Sequence, residues 1–134
     1  YPGVPTFNLI TLNKHELLTI GDIEIMPIEV KHGQLPILGY RIGDWAYITD
    51  MKTINDEELS FLTGVKILVV NALRWEKPHH SHMLIDEAID FARRVGAEHT
   101  YFTHLTHEIG LYDEACLRLP QGFEFAYDGQ EIAF

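Results

Sequence analysis

Residues 99–107 read His-Thr-Tyr-Phe-Thr-His-Leu-Thr-His. Tyr101 and Phe102, with Thr100 and Thr103 on either side, have the pattern of a buried strand, and His104 and His107 follow where that strand would end. His79, His80 and His82 stand just before a helical pattern. His32 follows another strand pattern, and Asp50 ends a third. Imidazole and carboxylate side chains are ligands of zinc, manganese and iron, and paired metals need an oxygen ligand shared between them. Strand ends of an open α/β sheet are where such ligands gather. The candidates are His32, Asp50, His82, His104 and His107. Taken singly, each has an ordinary reading: a histidine near a strand end is usually a surface or core residue, and an aspartate there a turn former or cap. Taken together they carry more, because the chain has eight histidines in 134 residues and most fall within 79–82 or 99–107. His15, His79 and His99 are assigned no chemistry, as a turn, a loop and a strand start.

The elements that must position these residues follow from hydrophobic periodicity. Residues 1–5, with two prolines and a glycine, form an extended lead-in. Strands are predicted over 7–12, 17–20, 23–30, 38–42 and 45–49, with Pro27 marking an edge or a bulge. Asn55 is a helix N-cap, with Glu58 completing a capping box, and the helix runs to Thr63 before Gly64. Residues 65–70, apolar but for Lys66, read as a strand covered on both faces. A loop over 71–82 precedes a helix over 83–95, where Arg93 and Arg94 suit the negative C-terminal end. A strand over 99–103, a short helix near 111–118 and strands near 123–127 and 131–134 complete the chain. The order predicts an α/β fold: antiparallel strands, then β-α-β-α-β, as one mixed sheet with helices on one face. No second layer for the other face is evident.

The formal charge is −10, from 10 basic and 20 acidic residues. A protein that binds nucleic acid through a basic surface has the opposite balance. An anionic substrate would need its charge met by something other than Lys and Arg, and divalent metal supplies that. Cys116 is the single cysteine, so no internal disulfide forms and a reducing, cytoplasmic compartment is expected. Cys116 itself reads as a small apolar residue on a helix face. No apolar run approaches the ~18 residues of a membrane span. The chain begins at Tyr1 rather than Met, so a longer parent is expected.

Several motifs together resemble a known family. EVKH at 29–32, GYRIG at 39–43, YITD at 47–50, HSHMLIDEAIDFARRVGA at 80–97, YFTHLTH at 101–107 and AYDGQEI at 126–132 resemble, in order and spacing, the second half of a metallo-β-lactamase-fold phosphodiesterase. The branch is that of the cyclic phosphodiesterases of bacterial phosphonate breakdown and, more distantly, the nucleases that mature tRNA 3′ ends. By position, the resemblance implies that His32 and His104 are metal ligands and that Asp50 bridges two metals. It implies that His82 acts at the scissile phosphate as general acid or transition-state stabiliser, with His107 behind the ligands. The implied cofactors are two divalent ions, zinc or manganese or iron.

One departure is large. The family's early His-x-His-x-Asp-His run, which supplies most of the ligands, is absent from these 134 residues. The resemblance therefore implies half of a four-layer αββα sandwich, the C-terminal half, with the N-terminal half outside this chain. Three ligands divided between two metals leave neither with a full set. The chain alone is expected to bind metal weakly and to be inactive. Its uncovered sheet face should drive a homodimer or a swapped assembly, and a monomer in sedimentation at high concentration would count against that. The activity implied for the parent is hydrolysis of a small or cyclic phosphodiester. Ester, thioester or lactam hydrolysis, tRNA 3′ processing and a non-catalytic interaction module are the alternatives. Arg41, Arg74 and Trp75 could line a pocket, with surface charge and core aromatic as their ordinary readings.

Overall fold

A computed structural model describes residues 3–133. Its strands are β1 (Leu18–Ile20), β2 (Ile23–His32), β3 (Leu35–Ile42), β4 (Trp45–Ile48), β5 (Ile67–Asn71), β6 (His99–Thr103) and β7 (Phe123–Phe125). The helices are α1 (Asp56–Ser60), α2 (Ile85–Val95) and α3 (Tyr112–Cys116), with a 3₁₀ turn at His107–Ile109. The strands form one mixed seven-stranded sheet in the order β1-β2-β3-β4-β5-β6-β7.

The first four strands are hairpins for a simple reason. Each is joined to the next by a two-residue turn whose first residue is a glycine at positive φ: Gly21 at 60°, Gly33 at 62° and Gly43 at 59°. From β4 onward the pairing is parallel, each strand reached through a helix. The three crossovers step the same way across the sheet, so the right-handed rule puts their helices on one face. Ile28, Val30, Ala46, Ile48, Leu68, Val70, Phe102 and Phe125 point there and are buried against Ile85, Ala88, Phe91 and Ala92 of α2. Pro27 lies beyond the last β1 pair, at Ile25; on that side of β2 its carbonyl accepts from the His15 N–H at 2.9 Å, and its lack of an N–H breaks no ladder bond.

The other face is uncovered. Tyr40, Ile42, Trp45 and Tyr47 line it together with Leu12, Leu18 and Ile25, around an apolar hollow of about 350 Å³. The expected mixed sheet with helices on one face is what forms. Among the described residues, no helix is long and apolar enough to cross a membrane.

Some expected elements differ. Residues 7–12 are not a strand, because no neighbouring strand takes up their hydrogen bonds; Phe7, Leu9 and Ile10 are exposed instead. No strand forms over 131–133 either. The ends of the predicted lead-in and last strand, Tyr1, Pro2 and Phe134, lie outside the described residues. Asn55 does cap α1, accepting from the Glu58 N–H at 2.8 Å. The Glu58 side chain does not close the capping box, because it turns inward to Lys14, His15 and the Glu29 N–H. α1 ends at Ser60 rather than Thr63; just beyond it the Phe61 and Thr63 carbonyls accept from the Arg41 guanidinium.

Candidate metal centre

Four of the five candidate side chains meet at one edge of the sheet. β2, β4, β5 and β6 all run the same way, so their C-terminal ends lie side by side. His32 is the last residue of β2, Asp50 follows β4 and His104 follows β6. His82 arrives from the loop between β5 and α2. That loop is closed at its base by Leu73 N–H to the Met83 carbonyl at 2.9 Å and Ile85 N–H to the Arg74 carbonyl at 3.0 Å.

The distances define a cluster. His82 Nε2 and His104 Nε2 each lie 3.3 Å from Asp50 Oδ1. The His82 ring packs edge-on to His32, centroids 4.6 Å apart, and stacks on His104 at 4.7 Å. Ligand atoms of His32, Asp50 and His82 all fall within 4.8 Å of one another. His32 Nδ1 is 2.9 Å from the Asp50 carbonyl oxygen, which can only accept, so the ring's proton is on Nδ1. Its Nε2 lone pair is left for a cation. An imidazole fixed by a backbone carbonyl behind it is the usual state of a metal-ligating histidine. The donor set therefore fits a divalent metal: ions with bonds of ~2.0–2.2 Å to nitrogen and oxygen hold neighbouring ligand atoms roughly 3–3.5 Å apart.

The backbone is strained at the same place. Asp50 has φ 58° and His104 φ 64°, a region that non-glycine residues avoid. Such strain costs on the order of 1–3 kcal/mol per residue and persists where the surroundings over-determine it. The surroundings here are specific. Asn71, wholly buried at the end of β5, accepts from the Met51 N–H at 2.8 Å and donates to the Met51 carbonyl at 2.9 Å. On the other side, Lys31 exchanges backbone hydrogen bonds with Lys52 and Thr53. Asp50 is thus pinned from both flanks.

Burial pushes the His82 imidazole below its ordinary value; the Asp50 hydrogen bond opposes this, and His104, His32 and His79 add to it. His79 is lowered too, first by burial and then by His80. The fifth candidate, His107, begins the 3₁₀ turn, is exposed, and its ring makes no hydrogen bond among the described residues. Arg41 caps α1. Arg74 pairs with Glu108 at 2.6 Å, and Trp75 donates to the Ile109 carbonyl beneath the Arg118 guanidinium. Sequence reasoning missed Asn71, Ser81 and His79. For Asn71 there was a signal, an amide directly ending a continuous apolar strand; for the other two, adjacency to His82 was the only one.

Residues 2–105 match the family described as the beta-lactamase superfamily domain, and the chain belongs to the metallo-β-lactamase superfamily. Within it, the chain is similar to a crystal structure of a diphosphatase from the PhnP family. The two are 38% identical with a TM-score of 0.85, over 91% of this chain and 47% of that one. It is also 38% identical over 131 residues to a Porphyromonas gingivalis protein named octanoyltransferase, covering 98% of this chain and 27% of that protein. Human short-form tRNase Z shares the fold at 14% identity and a TM-score of 0.67, over 87% of this chain and 45% of that one. The chain thus spans about a quarter of its curated relative and about half of the diphosphatase.

Proposed function

We propose that this chain supplies the C-terminal half of a dinuclear metal hydrolase that cleaves a phosphodiester or diphosphate linkage in a small substrate. The observation that carries the reading is the meeting of His32, Asp50, His82 and His104 at one sheet edge, with strained backbone at two of the four. His32, Asp50 and His104 would hold metal, with zinc, manganese and iron all suited to such ligands. Bound there, divalent ions supply Lewis-acid charge for the phosphoryl oxygens and acidify water.

The chain's own residues do the rest. Asp50 fixes a carboxylate between histidines that arrive from both sides. His82 presents Nε2 to the same space and gives a hydrogen bond or a proton to a phosphate oxygen. The Asn71 clamp and the closed base of the 72–84 loop keep both groups in register, so little reorganisation accompanies reaction. The open apolar sheet face is the seat of the other half of the sandwich and, in the chain taken alone, of a second copy. A charge of −10 favours a small substrate over RNA. A cytoplasmic location accords with the single Cys116. The octanoyltransferase name belongs to a protein of which this chain matches 27%, and a His and Asp cluster suits metal-assisted hydrolysis better than acyl transfer.

The test is a substrate panel with the full-length protein loaded with Mn²⁺ or Zn²⁺. Bis-p-nitrophenyl phosphate or a diphosphate diester is expected to turn over, and p-nitrophenyl acetate is not. His82→Ala should lower kcat by roughly 10²–10⁴-fold. Preferential hydrolysis of the acetate, or of none of the three, would overturn the reading.

A further inference from the structure

Lys52 and Glu87 lie outside the cluster, yet together they tie the flanks of three of its residues. Lys52 Nζ is 2.8 Å from each Glu87 carboxylate oxygen. One of those oxygens also accepts from the Leu84 N–H at 2.7 Å. At the other end, the Lys52 backbone N–H donates to the Lys31 carbonyl at 2.7 Å, and Thr53 bridges to the same residue. Lys31 directly precedes His32, Lys52 stands just past Asp50, and Leu84 stands just past His82. One ion pair therefore joins the backbones that carry His32, Asp50 and His82.

The link has no substitute. The loop bearing His82 is closed at its base against residues 73 and 74, on the side away from Asp50. Among the described residues, one other hydrogen bond joins residues 50–53 to residues 79–87, the contact between Asp50 and His82 themselves. The pair is also not a loose surface contact at its cationic end, because the Lys52 side chain is only 19% exposed. An ammonium that far out of water is held to its partner, since leaving it unpaired is costly. Nor is Lys52 there for the sake of α2. Glu87 caps that helix unaided, and a cation beside a helix's first turn is opposed by the helix dipole.

We infer that Lys52 is a positioning residue for this centre: through Glu87 it holds the Asp50 loop and the His82 loop in register. The inference rests on the reading of Asp50 and His82 as groups that act at a phosphate. Lys52 works only through its neighbours. A displacement of about 1 Å between reacting groups costs up to ~10²-fold in rate, so a small slip of one loop past the other is enough to matter.

The test uses the metal-loaded full-length protein with Lys52→Met, which keeps the stem and removes the charge, Glu87→Gln, the double variant and Lys52→Arg. Amide hydrogen exchange reads the link without reference to turnover. In Lys52→Met, exchange should quicken on both sides, at Thr53 and at Leu84, by about 2–5-fold, the range of a partly exposed ion pair. With bis-p-nitrophenyl phosphate, Lys52→Met should lower kcat about 10-fold at unchanged KM and metal content. The double variant should be no worse than Lys52→Met, and Lys52→Arg, whose fork can meet both carboxylate oxygens, should recover most of the loss. Faster exchange confined to Thr53, an unchanged kcat, or single losses that multiply in the double variant would each overturn the inference. So would a loss of metal content in step with kcat, which marks a merely structural role. If the wild type turns over no phosphodiester, the functional reading fails and the exchange arm alone decides this one.

Discussion

Asp50 and His104 hold left-handed backbone at φ 58° and 64°, and both side chains face the same space. Two strained residues from different strands are maintained only if their neighbours leave no relaxed alternative. Asn71 is the residue that enforces this for Asp50, through both backbone groups of Met51. Asn71→Ala is expected to leave those two groups unpaired in a buried position and to cost about 2–4 kcal/mol in denaturant unfolding. Asp50 is then free to relax, so metal affinity should fall as well; unchanged stability and affinity would show the clamp to be dispensable. The ligand candidates themselves were legible in the sequence, because each sits at the end of a recognisable strand within a recognisable motif. Asn71, Ser81 and His79 were not read, because what they contact lies 20 residues away or depends on the path of one loop; Asn71's place at the end of an apolar strand was the one local signal.

At the scale of elements, α1 shows tertiary structure overriding a local rule. Glu58 occupies the position of a capping box, yet its carboxylate is drawn 2.8 Å from both Lys14 Nζ and His15 Nε2 and 3.0 Å from the Glu29 N–H. This ties the segment before β1 to the helix and β2. Burial works to raise the Glu58 carboxyl; the bonds from Lys14, His15 and the Glu29 N–H outweigh it and hold the group below its ordinary 4.5. A depressed folded-state value means that the stabilisation is present in full above the unfolded value and is lost as pH falls through the folded one. Stability should therefore drop as pH is lowered below about 4.5, and Glu58→Gln should flatten that acid limb while costing roughly 1–3 kcal/mol near neutrality. Denaturant unfolding across pH reads both, and an unchanged acid limb would contradict the assignment. The order of strands and helices was legible because turn glycines, caps and the 3.6-residue period agree with the global fold. Residues 7–12 failed because a strand pattern needs a neighbour, and this chain provides none there.

For the whole molecule, one layer of helices covers one face of the sheet and leaves aromatic and aliphatic side chains on the other around a hollow of about 350 Å³. The superfamily fold and the share of the relatives' length that this chain spans support the proposal that the chain carries half of a two-metal centre. The three side chains proposed as ligands, His32, Asp50 and His104, are too few to complete two ions. Metal titration is the most direct test, with Zn²⁺ or Mn²⁺ added by calorimetry to the 134-residue chain and to the full-length protein. Weak binding to the chain alone and two equivalents bound tightly by the full-length protein, lost in Asp50→Ala, are the expected results. Two tight equivalents on the 134-residue chain alone would contradict the account.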